Sequence, residues 1–325
     1  MQTNNPQVCD SQTQKSKTIP VIYFTTENLK LGTSSWLSTC KAVREALEDF
    51  GCFIAVYDKA ESECKIDVFA SLKEFFNLPM ETKLLNVHPD KDAFGYFGPK
   101  PNFPLLEAIS IEDSTTIEAV QSFANLAWPS GNDHFCETIC ACTRQLSEVN
   151  RMVSKMIFES YGVGRYSDSH IESTSYLFRA NAYRVSQEKE PNLGISPHTD
   201  TSFVSVLKQD SVQGLQIQSK DGTWIPVDFP PSSVAIMAGD AMLAWSNGRV
   251  RPCFHRVMVT EKARTSIGLF SFHTGIVQVP KELADDNYPS QFTSFDHWGL
   301  LKFRSKNPAL SSNERVKAYC GRKDI

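Results

Sequence analysis

The stretch SYLFRANAYRV (175–185) alternates large apolar and polar residues, and the chain keeps that texture afterwards. FVSVLKQ (203–209), LQIQSKDGTWIPV (215–227), SVAIMAGDAMLAWSNGR (233–249) and HRVMVTEKARTSIGLFSFHT (255–274) follow. A period of two marks a strand with one face buried. Turn signals, Asp221-Gly222 and Asn247-Gly248 among them, separate the runs at the roughly 8–12-residue spacing of sandwiches and barrels. The last run reads as a hairpin turning near Thr260 to Ala263. These strands predict a double-sheet jelly roll, a double-stranded β-helix, over residues 166–287.

On the N-terminal side the texture is helical. Ser35 or Thr39 opens a helix with Val43, Ala46, Leu47 and Phe50 at helical spacing, and Gly51 stops it. IPVIYF (19–24) and CFIAVYD (52–58) read as strands, and VFASLKEFFNLPMETK as a helix ending near Asn77. Pro89 to Ile111 reads as a long loop whose aromatics are core plugs or pocket lining. Helix returns from about Asp133 to Tyr161, and again between Tyr288 and Tyr319. The expected fold is mainly β with flanking helices: a disordered tail (1–18), a helix-rich region (19–165), the jelly-roll core (166–287) and a C-terminal helical cap (288–325).

Composition excludes several classes. The 325 residues are 41% hydrophobic, ample for a core, and the net charge is −4 with a pI near 6.0. No basic excess exists to hold nucleic acid, and no apolar run reaches the roughly 18 residues of a membrane span. The polar first 18 residues carry no secretory h-region. Nine cysteines, an odd number in a long chain, point to reduced thiols and a cytoplasmic protein. Cys136, Cys140 and Cys142, with His134 nearby, raise the question of zinc. On a helix Cys142 leaves the face of the other two, so ordinary packing is the better reading.

The chemistry centres on His198-Thr199-Asp200. In an extended segment residues i and i+2 point to one side, so an imidazole and a carboxylate can reach the same ion. His255 lies 55 residues beyond Asp200, enough for the chain to cross the roll and return. Two histidines and one carboxylate on one face of an octahedron leave open positions, as iron(II) oxygenases require. Each residue alone is weak evidence; the joint pattern is not. Arg264, nine residues after His255, can face the same cavity with Ser266 at its parity, a fork and a hydroxyl suited to a carboxylate. Tyr183, 15 residues before His198, shares a strand face with Asn181 and Arg179.

With those residues in place, the chain resembles the plant 2-oxoglutarate/Fe(II)-dependent dioxygenases. The resemblance rests on the R-x-N-x-Y strand (Arg179, Asn181, Tyr183), H-T-D (198–200), GLQIQ with its DG turn and Trp224, the AGD and SNGR segments, FHRVMV and R-T-S (264–266). It extends through FFNLPMETK, ALEDFGCF and IPVI to about Ile19. Within the family the chain is most similar to the subgroup of glucosinolate side-chain oxygenases, auxin-oxidising dioxygenases and steroidal glycoalkaloid hydroxylases. The resemblance implies iron at His198, Asp200 and His255, and 2-oxoglutarate on Arg264 and Ser266 with Tyr183 and Asn181 assisting. O₂ would be the other co-substrate and ascorbate a supporting reductant. Some motifs depart from the family: NYYP reads Asn181-Ala182-Tyr183-Arg184, Tyr23 stands where an acid is usual, and the step from His255 to Arg264 is one residue short.

The expected reaction is oxidation of an unactivated C–H bond in a small hydrophobic plant metabolite or hormone. Hydroxylation comes first, with desaturation, cyclisation or dealkylation as variants. Candidate pocket residues are Phe97, Phe103, Tyr176, Phe203, Phe272, His273, Phe295 and Trp298. The partner is a small molecule and the protein is expected to be a monomer. Alternatives are a same-fold oxidase that uses no 2-oxoglutarate, a zinc hydrolase on the same ligands, and a non-catalytic metabolite-binding protein. Succinate formation, dependence on Fe(II) and O₂, and loss of turnover on replacing Asp200 separate them.

Overall fold

The computed structural model describes residues 18–57, 67–87, 94–187, 190 and 192–323. The expected disordered tail, apart from Thr18, and Cys9 and Cys64 lie outside the described residues. Strands β1 (Val21–Phe24) and β2 (Cys52–Tyr57) enclose helix α1 (Ser34–Phe50). Thr33 caps α1 by accepting from the Trp36 amide at 3.1 Å, a contact of a kind worth about 1 kcal/mol. Gly51 ends it at φ 72°, and a Cβ there would lie 2.7 Å from the Arg251 carbonyl oxygen, so only glycine fits.

Helices α2 (Val68–Phe76) and α3 (Met80–Leu84) follow. The region read as a loop instead holds β3 (Gly95–Phe97) and most of β4 (Leu106–Glu112). Pro99, Pro101 and Pro104 lie in the connection between these strands and masked their alternation. Helix α4 (Ile117–Ala127), which the sequence reading passed over, precedes α5 (Asp133–Ser160) and α6 (Ser167–Glu172).

The jelly roll is built from β5 (Thr174–Tyr183), β6 (Leu193–His198), β7 (Val204–Gln209), β8 (Leu215–Gln218), β9 (Trp224–Pro226), β10 (Ser233–Ala238), α7 (Asp240–Trp245), β11 (His255–Met258) and β12 (Arg264–His273). A short ribbon, β13 (Ile276–Val277) with β14 (Phe295–Asp296), leads into α8 (His297–Lys306) and α9 (Ser312–Cys320). The large sheet has the order β1-β2-β10-β7-β12-β5-β4-β3, the small one β6-β11-β8-β9. β1 and β2 are parallel and the other pairs antiparallel.

The 255–274 run is therefore not a hairpin. β11 pairs with β6 and β8, whereas β12 pairs with β5 and β7, so residues 259–263 cross between sheets. Alternation showed two strands but could not show that they belong to different sheets.

The pleat gives the large sheet two different faces. Phe53, Ile236, Val206, Leu269 and Phe178 point outward into the main core with Trp36, Val153 and Ile157 of α1 and α5. Ile54, Ala235, Met237, Tyr183 and Ala108 point inward and pack with Leu215, Ile217 and Val257 of the small sheet. The same inner face carries Ser205, Gln209, Arg264, Ser266, Arg179 and Asn181, because directly opposed residues share a side: Arg264 with Tyr183, Ser266 with Asn181 and Gln209, Gly268 with Arg179. No helix among the described residues is long and apolar enough to cross a membrane.

Candidate metal and co-substrate site

His198 ends β6 and His255 begins β11, and the two are direct cross-strand partners. Their ring centroids lie 4.2 Å apart. Asp200 Oδ1 stands 3.7 Å from His198 Nε2 and 4.0 Å from His255 Nε2. One ligand atom from each residue falls within 4.8 Å of the others, the one such group among the described residues. Each imidazole is oriented by its other nitrogen: Nδ1 of His198 lies 2.8 Å from the Ser196 carbonyl and Nδ1 of His255 lies 3.1 Å from that of Cys253. Nδ1–H donation leaves both Nε2 lone pairs facing Asp200, the tautomer a metal ligand needs.

Ser205 completes the arrangement from β7. Its hydroxyl donates to Asp200 Oδ2 at 2.6 Å, leaving Oδ1 for an ion. Burial opposes the charge on Asp200, but the two imidazoles and this hydroxyl together hold its carboxyl below the ordinary range. Burial and the neighbouring His255 push His198 down to about 3. At His255 burial is outweighed by the Asp200 carboxylate, and the imidazole is raised. Ser205→Ala is expected to weaken Fe(II) or Co(II) affinity by about 10- to 100-fold, as losses of such outer partners do. Metal titration checks this, with wild-type affinity as the refuting result.

Arg264 is buried on the inner face. Its Nη1 donates to Ser266 Oγ at 3.1 Å, its Nη2 to Gln209 Oε1 at 2.9 Å, and its guanidinium lies 5.1 Å from the Tyr183 ring centre. Nε has no hydrogen-bond partner, and no described acid lies within ion-pair distance. A buried cation with no counter-ion and a spare donor is costly unless an anion arrives. The donor set thus fits a carboxylate, and the triad fits a divalent ion. Burial raises the Tyr183 phenol while Arg264 and Ser266 draw it back; it remains neutral and can donate. Gly214 makes room for the arginine: a Cβ there would meet the Met258 carbonyl oxygen at 2.5 Å and Arg264 Cδ at 3.1 Å. Gly214→Ala is expected to raise KM for 2-oxoglutarate roughly 10- to 100-fold, the cost of a misplacement near 1 Å. An unchanged KM in a folded variant would refute it.

The pocket candidates divide between the inner face and the outer core. Phe272 lies inward with Leu177, Phe94 and Trp298, and the Phe272 and Trp298 rings stack at 4.9 Å. Phe97 faces inward beside Phe103, with centroids 6.1 Å apart. Tyr176 and Phe203 instead belong to the main core; Phe203 packs on Phe158 and Trp245. Tyr176 sits one residue out of phase with Arg179, Asn181 and Tyr183, which sends it through the sheet. Phe295 joins the same core from β14, and His273, out of phase with Phe272, lies 5.1 Å from His170. Cys136, Cys140 and Cys142 are buried core residues and His134 is exposed.

Sequence reasoning missed Ser205 and Gln209. Their signal was two polar residues four apart, and so on one face of the strand VSVLKQ. His297 opens α8 beside His273 and Thr201. This residue is fully buried; its Nδ1 accepts from the His273 amide at 3.0 Å and its Nε2 donates to the Thr201 carbonyl at 2.8 Å. Burial lowers it to about 4, so it is a neutral strut and not a substrate anchor.

A two-His, one-carboxylate cluster inside a jelly roll, beside a guanidinium awaiting a carboxylate, defines a mononuclear metal oxygenase with an organic-acid co-substrate. Known proteins agree. Residues 174–273 match the 2OG-Fe(II) oxygenase superfamily, and residues 19–104 match the non-haem dioxygenase N-terminal region named for morphine synthesis. The chain is 39% identical over 310 residues to the probable 2-oxoglutarate-dependent dioxygenase AOP1.2 of Arabidopsis thaliana, covering 93% of this chain and 95% of that one. The crystal structure of the rice dioxygenase for auxin oxidation superposes with a TM-score of 0.76 at 27% identity, covering 93% of this chain and all of the other. Arabidopsis thaliana DAO1, solved with 2-oxoglutarate, gives 0.71 at 27% identity over 84% of this chain and 100% of that one. The chain belongs to the 2-oxoglutarate/Fe(II)-dependent dioxygenase family, and its co-substrate and metal are 2-oxoglutarate and Fe(II).

Proposed function

We propose that this enzyme oxidises a C–H bond of a small, largely apolar plant metabolite or hormone, with His198, Asp200 and His255 holding the iron. Arg264 and Ser266 receive the distal carboxylate of 2-oxoglutarate, with Tyr183 and Asn181 beside them. The observation that carries this reading is the buried, unpaired Arg264 guanidinium on the sheet face that also presents Ser205 to Asp200. Fe(II), when bound, would activate O₂, which is the oxidant, and 2-oxoglutarate would supply electrons by its decarboxylation to succinate. The chain's own residues do the rest: Ser196 and Cys253 carbonyls orient the imidazoles, Ser205 fixes the carboxylate, and Gln209 steadies the guanidinium.

Phe272, Trp298, Phe97 and Phe103 give the substrate an apolar wall, and hydroxylation is the favoured outcome. The reading divides the chain into a helix-rich support (19–165), the catalytic roll (166–287) and a cap (288–325) acting as a monomer in the cytosol, where its buried free thiols are stable. The test incubates Fe(II)-reconstituted protein with 2-oxoglutarate and a plant metabolite extract. Succinate should match a substrate mass shift of +16 or −2. Product without succinate would sink the 2-oxoglutarate assignment.

A further inference from the structure

Asp240 has no part in the reading above, yet it stands directly behind the H-T-D segment. It is the first residue of α7, and it is wholly buried. Gly239 before it presses on the turn that follows Asp200: a Cβ there would lie 2.0 Å from the Ser202 carbonyl oxygen, so only glycine fits. The Gly239 amide donates to the Phe203 carbonyl at 3.2 Å, and the Asp240 amide donates to the Asp200 carbonyl at 2.8 Å. Residues 239–240 are thereby fastened to both ends of the 200–203 turn.

The Asp240 side chain joins the same segment to the C-terminal helix. Thr199 lies between two ligands in an extended stretch, so its side chain faces away from theirs. Its buried hydroxyl approaches the Asp240 carboxylate without closing a hydrogen bond. From α9, the Ser312 hydroxyl donates to Asp240 Oδ1 at 2.5 Å, and Arg315 Nε stands 3.4 Å from Oδ2. One residue thus meets Thr199 and Asp200 on one side and α9 on the other.

Stability alone gives little reason for this arrangement. A buried ion pair adds little over well-packed apolar residues of the same size, because both charges leave water. The geometry supplies the reason. Ligands of a metal centre must be held to within about 0.5 Å. The Asp240 amide fixes the backbone of one ligand, and the carboxylate flanks the residue between two of them. Ser312 and Arg315 in turn hold that carboxylate still.

We infer that Asp240 is a positioning residue for the metal centre, and that α9, through Ser312 and Arg315, belongs to the scaffold that sets His198 against Asp200. This rests on the reading of His198, Asp200 and His255 as the iron ligands.

The test titrates the full-length, metal-free protein with Co(II), well below each variant's melting temperature, and follows affinity and the visible absorption of the bound ion. Asp240→Asn and Arg315→Met are each expected to lower Co(II) affinity about tenfold or more, the scale seen when outer partners of metal ligands are lost. Both should alter the absorption bands, which report ligand geometry. Ser312→Ala should act in the same direction with a smaller effect, and Arg315→Lys should restore part of the loss. Val120→Ala, a cavity in the core outside the roll, calibrates what lost stability alone does to affinity. If Asp240→Asn does not fold, the two α9 variants decide. Wild-type affinity and spectrum in both Arg315→Met and Ser312→Ala would overturn the inference. So would an equal loss of affinity in Val120→Ala at the same melting temperature. Undiminished Co(II) affinity in Asp200→Ala would overturn the ligand reading itself, and the inference with it.

Discussion

Asp200→Ala is expected to yield a folded protein that retains almost no Fe(II) and forms no succinate. The carboxylate is one of three converging ligands and the cluster's sole negative charge. Loss of an outer hydrogen-bond partner alone costs such sites about 10- to 100-fold in metal affinity; loss of the ligand is expected to exceed that. The deletion also leaves two imidazoles 4.2 Å apart with no anion between them, and leaves the Ser205 hydroxyl with Ser202 alone as its partner. Metal content after dialysis, succinate yield and melting temperature check this together. Wild-type metal content, or turnover at the wild-type rate, would remove the basis for the triad. A zinc hydrolase on these ligands would work under argon; the family's chemistry requires O₂.

Arg264→Leu is expected to raise KM for 2-oxoglutarate by about 30-fold to several thousand-fold. Truncating one member of a buried, hydrogen-bonded charge pair costs roughly 2–5 kcal/mol, and each 1.4 kcal/mol is a factor of ten. Arg264→Lys should fall between leucine and wild type, because an ammonium keeps the charge but loses the planar fork that also reaches Ser266 and Gln209. Metal binding should persist in both variants, since none of the three ligands touches this side chain. Leucine is expected to fold well, because removing a buried charge that lacks a counter-ion offsets the loss of its bonds to Ser266 and Gln209. A KM within twofold of wild type would assign the carboxylate to another residue.

What the sequence revealed follows from period and parity. The i, i+2 relation of His198 and Asp200, and the shared phase of Arg179, Asn181 and Tyr183, translate directly into geometry. The same rule applied to Tyr176 and His273 would have sent both to the far face, and to Phe272 it would have kept the ring inside. Pairing was beyond it: strands β11 and β12 are adjacent in sequence yet lie in different sheets, because local alternation carries no information about which neighbour a strand meets. β3 and β4 escaped notice because prolines occupy their connection, although β4 itself, LEAISIE, has an apolar run. Ser205 and Gln209 show their purpose only once β7 is seen beside β12.

The cap is bolted to the metal-binding turn. His297 and Arg304, both on α8, each hold Thr201, through its carbonyl and its hydroxyl respectively. Exchanging C-terminal segments between relatives to redirect substrate choice is thus not a modular operation. A graft that omits the histidine or the arginine changes the lining and slackens the turn carrying Asp200, so engineered chimeras should transplant both residues with the helix.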